Sequence, residues 1–308
     1  MSFKPATVLL CFSALLLVGA CGKKEGVIPT AHRISQVFSE EHITFEGQPY
    51  YDCENHLSQQ WNWDDDLLFR IDYRDNPPYS EVLYHDGSRL VATRVLAYGV
   101  RTELSYDGRK LETIDCFRND TLFARYAFHH DGQQMTGFDL TIYDSAAAAP
   151  RSLIRTALPF DDALVSYLDA DFRNLSRQVA AKSGSVVHYD FQWDDEDLVQ
   201  VVCRSDNQTL WSASITYDDK LNPYAQLFGY REFSNPVSDA DFRCFSRHNV
   251  LSISRTPAGV APDYTYTYTY DGDWPLSRTL TYDIVGSNND GLIVGVFHYA
   301  ISDHYNYD

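Results

Sequence analysis

A short motif returns through most of the chain and limits what the chain can fold into. An aromatic residue or histidine is followed by Asp, then by Asp or Gly, then by polar residues and by Leu or Met. Seven copies occur: WDDDLL from Trp63, YHDGSRL from Tyr84, YDGRKL from Tyr106, HHDGQQM from His129, WDDEDL from Trp193, YDDKLNP from Tyr217 and YDGDWPL from Tyr270. A degenerate copy begins at Tyr167, and the repeating unit is about 22 residues long.

Each unit predicts one β-hairpin. Apolar residues alternate on both sides of the motif, and Asp-Gly between two such segments is a strong hairpin signal because Gly tolerates positive φ. About eight units predict about 16 strands, whereas a twisted open sheet rarely exceeds about 10 strands. We therefore predict an all-β fold, an antiparallel hairpin-repeat meander of about 22 residues per unit that is curled, closed or split into packed sheets.

The motif resembles that of the YD-repeat (Rhs-type) family of secreted β-hairpin repeats, in which tyrosine-aspartate is followed by a glycine and a leucine. Within that group the chain is similar to repeat-containing lipoproteins of unknown function from Bacteroidota, on three further markers: Asn222-Pro223, SRHNVL from Ser246 and YTYDGDWPL from Tyr268. Trp274 and His248 depart from the family, which usually has a small residue and an asparagine there. The resemblance covers residues 61–282 approximately, implies an exported β-repeat protein and supplies no catalytic residues.

The N-terminus predicts an export signal. The apolar run Val8–Val18 follows Lys4 and has 11 residues, which is well short of the roughly 20 that a membrane-spanning helix needs. The ending LVGAC resembles the lipobox of bacterial lipoproteins, which implies acylation of Cys21; the alternative is an ordinary cleaved signal. We therefore divide the chain into a lipoprotein signal peptide (1–20), the lipidated cysteine with a tether (21–42) and a single β-repeat domain (43–308).

Residue 22 and the charge of the chain bear on location and partners. Position 22 is Gly and not the Asp that retains enterobacterial lipoproteins at the inner membrane. Resemblance to that sorting rule favours an outer-membrane lipoprotein, periplasmic or surface-exposed, that contacts the membrane through its lipid. The formal net charge is −18, with no run of Lys or Arg. Nucleic acid is therefore an improbable partner, because binding it requires a basic patch.

The segment YTYTYTYDGDWP from Tyr264 places tyrosines at alternate positions. In a strand, Tyr264, Tyr266, Tyr268 and Tyr270 share one face while the threonines share the other. Leaving four such rings in water would forgo a large part of the stability of a domain. We expect most of this stripe in the core, with Tyr270 partly exposed at the strand end beside Trp274.

Besides the lipidated Cys21, four cysteines remain in the body of the mature chain: Cys53, Cys116, Cys203 and Cys244. In an oxidising compartment they permit two disulfides with three possible connectivities. Cys116 and Cys203 occupy equivalent positions in units four apart, which places them about 40 Å apart along an open sheet. We expect both to be buried thiols unless the sheet closes or folds over.

The sequence contains no motif that names a reaction. The paired carboxylates lie in predicted turns, where Asp caps the local backbone, and HExxH, GxSxG and a phosphate-binding glycine loop are missing from the sequence. We predict a protein without a cofactor or catalytic residues, with a glycan-active hydrolase as a minor alternative. Weak calcium candidates are Asp194, Asp195, Asp271 and Asp273.

The leading hypothesis is a non-enzymatic envelope lipoprotein that binds a polysaccharide or another envelope protein. Its candidate binding residues are aromatic side chains in or beside the motif that can stack on sugar rings: Trp63, Trp193, Tyr217, Tyr270 and Trp274. Two alternatives stay open. These rings can merely close hairpins, and the protein can be a structural or assembly subunit of an envelope complex.

Overall fold

The computed structural model describes residues 33–65, 67–74, 78–95, 99–143, 186–205, 208–224, 246–256, 263–287 and 293–308. These residues form β1 (Ile34–Phe45), β2 (Gln48–Asp64), β3 (Leu67–Tyr73), β4 (Tyr79–Asp86), β5 (Arg89–Val95), β6 (Val100–Asp107), β7 (Lys110–Arg118), β8 (Thr121–Asp131), β9 (Gln134–Ile142), β10 (Val186–Asp194), β11 (Asp197–Ser205), β12 (Gln208–Leu221), β13 (His248–Thr256), β14 (Tyr264–Asp271), β15 (Trp274–Ser287) and β16 (Ile293–Tyr307). Each strand pairs with the next along the chain, and β1 pairs antiparallel with β16. The predicted all-β meander is confirmed, and the sheet closes into a barrel.

The way in which sixteen strands arise differs from the prediction at two places. The degenerate copy at Tyr167 lies outside the described residues, and the eighth strand pair is instead β16 with β1, formed by the two ends of the barrel. The boundary of the tether was wrong, because β1 begins at Ile34 and residues 34–42 belong to the barrel wall. The predicted signal peptide and Cys21 lie outside the described residues.

The motif copies all lie at one end of the barrel, which we call the aspartate rim. Six of them connect consecutive strands by two-residue turns, and in four of these turns Gly adopts a φ near +60°: Gly87, Gly108, Gly132 and Gly272. The chain enters and leaves the barrel at the same rim, since the Asp308 N–H donates to the Arg33 carbonyl at 2.9 Å. We call the other end, where β1 turns into β2, the opposite rim.

The seven copies share one irregular pairing at the aspartate rim. In each copy the residue before Asp pairs with the motif's Leu or its equivalent, and the residue that follows this Leu has no partner and forms a β-bulge. The pairs are Trp63–Leu68, His85–Leu90, Tyr106–Leu111, His130–Met135, Trp193–Leu198, Tyr217–Val250 and Tyr270–Pro275. A bulge increases the local twist and is common at barrel rims. It also turns Phe69 and Leu276 to the outside, which explains why these apolar residues are 40% and 46% exposed.

An aromatic ring on each of six strands donates a hydrogen bond to the strand that precedes it, and we call this hydrogen bond the rim latch; five of these strands begin a motif hairpin and the sixth is β16. The donor is an indole N–H or a phenol O–H near the end of one strand, and the acceptor is a carbonyl near the start of the preceding strand, 2.5 to 2.9 Å away. The six latches are Trp63 to Ile34, Tyr106 to Leu90, Trp193 to Met135, Tyr217 to Leu198, Tyr268 to Val250 and Tyr307 to Pro275. His85 and His130 stand before Asp in β4 and β8.

The copy at Asp218 does not form the predicted tight turn. Strand β12 continues to Leu221, and the chain returns to the wall only at β13. The Asp218 carboxylate nevertheless holds the two strands together, because its Oδ1 accepts the backbone N–H groups of Lys220 at 2.9 Å and Asn249 at 3.2 Å. Tyr217 and Val250 therefore keep the pairing of the other copies, although a long insertion stands here in place of two turn residues.

Two of the markers that resemble the family, Asn222-Pro223 and the segment from Ser246, lie where the β12–β13 insertion begins and ends, and we call them its neck. The Asn222 N–H donates to the Arg247 carbonyl at 2.9 Å, and the Asn222 side-chain amide donates to the Ser246 carbonyl at 3.0 Å. Asn222 and Ser246 are both buried. Where the chain leaves and re-enters the wall is thus fixed by polar contacts.

The barrel interior is mainly apolar, with a buried ion pair between Arg278 and Asp303, and the tyrosine stripe of β14 belongs to it. Tyr264 and Tyr266 are 1% and 5% exposed, Tyr268 and Tyr270 are partly exposed, and the alternating threonines face outward. The expectation of a mainly buried stripe with a partly exposed end is confirmed. The reason is that alternate side chains of a barrel strand face inward.

The described cysteines are free thiols. Cys116 and Cys203 are fully buried, as expected, and Cys53 is partly exposed. Burial raises the pKa of the Cys116 thiol and so keeps it protonated. Cys244 lies outside the described residues.

The outward face of the wall is polar and carries ion pairs. On β6, β7 and β8 the outward residues Glu103, Asp115 and Arg125 are neighbours in the sheet, and Arg125 donates two hydrogen bonds to Asp115 at 2.5 and 2.7 Å. A membrane-spanning barrel has an apolar outward band. The outward faces of these three strands carry charged side chains instead.

We expect Tyr106→Phe to lower the free energy of unfolding by about 1 kcal/mol, since the variant keeps the ring and removes only the latch hydrogen bond. Burial raises the pKa of Tyr106 to about 12, so the phenol is a donor at neutral pH. Urea denaturation measures the change. Tyr84→Phe, at a 46% exposed ring, is the control and should be neutral; equal losses in both variants would contradict a stabilising latch.

We also expect only one cysteine to react in the folded chain from Gly22 to Asp308 that carries Cys244→Ser. A maleimide should label Cys53, whereas Cys116 and Cys203 should react only after denaturation, because both are 0% exposed. Mass spectrometry of the labelled peptides gives the sites. Labelling of Cys116 or Cys203 without denaturant would show that the wall opens.

Candidate functional site

A cleft lies at the aspartate rim between three consecutive turns, those of β6–β7, β8–β9 and β10–β11. Its volume is about 310 Å³, and its lining residues are Arg109, Lys110, Leu111, His130, Gln133, Gln134, Met135, Trp193, Asp195 and Glu196. Half of these residues occupy the variable positions of the motif, after Asp-Gly or Asp-Asp: Arg109, Lys110, Gln133, Gln134 and Glu196. Because neighbouring copies are adjacent in the barrel, their variable side chains converge on one place.

The cleft coincides with one of the two copies in which histidine stands before Asp. His130 occupies this place on β8, and an imidazole is shorter than the phenol of Tyr106 on β6 or the indole of Trp193 on β10. The smaller side chain leaves room between the adjacent hairpins. The sequence difference from HHDG to YDG therefore marks the position of the cleft.

Trp193 supplies the aromatic surface of the cleft. Its indole N–H donates to the Met135 carbonyl at 2.6 Å, and its ring meets that of Phe191 edge to face at 6.3 Å. The ring remains partly exposed. Its orientation is fixed by these contacts, so it offers a preformed aromatic surface to a ligand.

Opposite charges line the two sides of the cleft. Arg109 and Lys110 come from the β6–β7 turn, whereas Asp195 and Glu196 come from the β10–β11 turn. Glu196 is held by an ion pair with Arg247, at the end of the β12–β13 insertion. The amide side chains of Gln133 and Gln134 lie between them in sequence and space, so donors and acceptors both face the cleft.

His130 is held in its neutral form. Burial lowers its pKa below the ordinary value of 6.5, and the nearby charges of Lys110 and His129 lower it further. Because the folded state takes up this proton less readily than the unfolded state, His130 disfavours folding as the pH falls below 6.5 and has no such effect at higher pH. At neutral pH the ring therefore offers one donor and one acceptor.

The structure does not bring the five predicted aromatic residues into one site. Trp193 lines the cleft, whereas Trp63 lies on β2, on the far side of the barrel, where its indole N–H donates to Ile34 at 2.9 Å. Both rings pack against the core and form rim latches. The prediction that they bind a ligand is untested for Trp63 and is carried forward below for Trp193.

The other three predicted aromatic residues lie around the neck of the β12–β13 insertion and the following turn. Tyr217 donates to the Leu198 carbonyl at 2.5 Å and accepts from Ser246 at 2.7 Å. Tyr270 donates to the Asp218 carboxylate and stacks on the ring of Tyr268 at 5.8 Å. The ring of Trp274 lies 6.4 Å from that of Tyr307. Each of these contacts organises the rim.

The calcium candidates lie on two separate hairpins. Asp194 and Asp195 belong to the β10–β11 turn, where Asp195 has a φ of 54°, and Asp271 and Asp273 belong to the β14–β15 turn. Asp273 forms an ion pair with Lys220 at 2.9 Å. Within the described ranges no three His, Cys, Asp or Glu side chains are placed to hold a metal ion.

Sequence reasoning missed most of the cleft. It identified Trp193 and Asp195 but not Arg109, Gln133 or His130. The available signal was the variation at the positions after Asp-Gly, which becomes informative only when adjacent copies are known to be adjacent in space.

Comparisons with known proteins give no family. No protein-family model and no curated protein sequence matches the chain. Among solved structures, a porin-like protein from Bacteroides vulgatus ATCC 8482 has 10% identity and a TM-score of 0.34, over 90% of this chain and 99% of its own. A TcdB2-TccC3-Cdc42 structure has 11% identity and a TM-score of 0.29, over 81% of this chain and 13% of its own. At these values neither neighbour indicates what this protein does.

The described residues contain no helix long and apolar enough to cross a membrane.

We expect Lys110→Ala to raise the pKa of His130, because the substitution removes a nearby positive charge. The pKa is read from the imidazole signals in an NMR titration. Lys220→Ala is the matched control, since Lys220 pairs with Asp273 on another hairpin. A His130 pKa at or above 6.5 in the unmodified chain, or one unchanged by Lys110→Ala, would contradict this electrostatic description.

Proposed function

We propose that this protein is a lipid-tethered, non-enzymatic barrel of the cell envelope that binds a glycan in the cleft at the aspartate rim. The observation that supports the binding role most directly is the partly exposed Trp193 ring, fixed in place and flanked by amide, carboxylate and guanidinium groups. A sugar ring offers an apolar face to an aromatic side chain and hydroxyl groups to surrounding donors and acceptors. The cleft supplies both kinds of contact.

The size of the cleft limits how much of a glycan it can hold. Its volume of about 310 Å³ is at the lower end of the roughly 300–1,000 Å³ found for ligand pockets. One or two sugar units would fill it. Arg109 and Lys110 on one side favour a sugar that carries a carboxylate or another anionic group.

The tether proposed for the N-terminus orients the cleft. Twelve residues lead from Cys21 to Arg33, and a chain of that length spans at most about 40 Å. Arg33 enters the barrel at the aspartate rim, beside Asp65 and Trp63. An acylated Cys21 would therefore keep the aspartate rim and its cleft near the membrane, which favours a polysaccharide of the envelope as the ligand.

The test is titration of the chain from Gly22 to Asp308 with a panel of neutral and uronate-containing oligosaccharides, followed by calorimetry. We expect one class to bind saturably and to raise the melting temperature, because a ligand that binds only the folded state stabilises it. Arg109→Ala with Gln133→Ala should lower the affinity at least tenfold, as expected when about 1.4 kcal/mol or more of contact energy is lost.

Ser88→Ala is the matched control, because Ser88 holds the position of Gln133 in the β4–β5 turn, outside the cleft. It should bind like the unmodified chain, and all variants should melt at the same temperature without ligand. Equal affinity in the double variant, or no binding of any oligosaccharide, would overturn the proposal.

A further inference from the structure

Four strands continue beyond the rest of the wall at the opposite rim. β1, β2, β15 and β16 have 12, 17, 14 and 15 residues, whereas β3–β7 have 7 to 9. β2 pairs with β3 only from Gln59 onward, and β15 pairs with β14 only up to Thr281. The remaining parts of the four strands pair with one another, and we call residues 41–45, 48–57, 282–287 and 293–300 the projecting sheet.

One of the two outer margins of the projecting sheet is formed by residues 52–57 of β2. Four of these residues pair with β1 on one side, with a register shift at Glu54 and Asn55, and the described strands place no neighbour on the other side. The last backbone bond along that margin is from the Arg74 N–H to the Ser58 carbonyl, at 2.9 Å. An open strand edge presents a row of backbone donors and acceptors that can pair with another chain.

The projecting sheet is acidic. Neither residues 34–69 nor residues 279–308 contain a Lys or Arg, although the chain has 25 such residues. Two of its carboxylates are well exposed, with side-chain exposures of 69% for Asp52 and 63% for Asp283, and their contacts are to histidines, His42 and His298. Glu54 is exposed on the open edge itself.

Exposed aromatic rings flank this edge. Tyr50 is 67% and Tyr51 is 48% exposed. Tyr50 meets the ring of Phe297 edge to face at 5.2 Å, and Phe297 also contacts Phe45 at 4.7 Å. An added strand beside residues 52–57 would find backbone partners, negative charge and aromatic surface in one place.

We propose that residues 52–57 bind an extended, cationic segment of a partner protein as an additional β-strand. The open edge supplies the backbone hydrogen bonds of such strand addition, and Asp52 and Glu54 select a segment with Lys or Arg. A second copy of this chain fits less well, because it would bring two edges of the same negative charge together, and like charges across a strand pair are destabilising. This surface is at the end of the barrel away from the glycan cleft and does not depend on it.

The experiment uses a labelled peptide of alternating lysine and threonine, with fluorescence anisotropy as the readout. We expect saturable binding to the chain from Gly22 to Asp308 that weakens with added salt. A peptide with glutamate in place of lysine should not bind. Asp52→Lys with Glu54→Lys should weaken binding at least tenfold, whereas Glu112→Lys, at an exposed position on β7, should leave it unchanged.

Hydrogen exchange separates strand addition from loose ionic attraction. Addition of the lysine peptide should protect amide protons within residues 52–57, because they become hydrogen-bonded. Binding without protection there, or binding that survives Asp52→Lys with Glu54→Lys, would overturn the proposal. A concentration-dependent dimer in sedimentation, abolished by the same double variant, would also overturn it and assign the edge to a second copy.

Discussion

The rim latch is the interaction on which the regularity of this barrel depends. Every motif copy carries a bulge that increases the local twist, and the pairing between neighbouring hairpins stops short of the rim, as where β6 pairs with β5 only up to Glu103. A ring from one hairpin donates to a carbonyl of the preceding strand and closes that gap in six places, at 2.5 to 2.9 Å. Five of the seven motif hairpins, and the last strand β16, are therefore tied to the preceding strand by a polar contact as well as by the sheet. The same rings extend the apolar interior to the end of the barrel.

Most strands and six of the seven motif turns were predictable because they depend on local chemistry. Alternation gives strands, and Asp-Gly gives turns, as at Gly108 and Gly272. The copy at Asp218 shows the limit of such reasoning. Its residues match the motif, and Tyr217 pairs with Val250 as the motif predicts. The motif does not indicate, however, that a long insertion separates these two residues in the sequence.

The site was harder to predict, because its residues meet only after the barrel forms. Trp193 stood out as an aromatic residue beside a turn, but its hydrogen-bond partner, Met135, is 58 residues earlier in the chain. Arg109 and Gln133 have no distinguishing local pattern, and they converge because successive copies stand side by side. His130 was noted only as part of the motif copy HHDGQQM, whereas its small size explains why a cleft opens between β6 and β10.

Closure by β1 and β16 has a consequence for how the chain must fold. Ile34 pairs with Tyr307, so β1 cannot complete its pairing until β16 has been synthesised. This contact joins the described strands that are most distant in sequence and therefore carries the largest loop-closure cost. Until β16 arrives, the incomplete sheet has two open margins that can pair with other chains. A truncated chain that ends before β16 is therefore prone to aggregate, and the barrel can close only after the fifteen residues of β16 have been added.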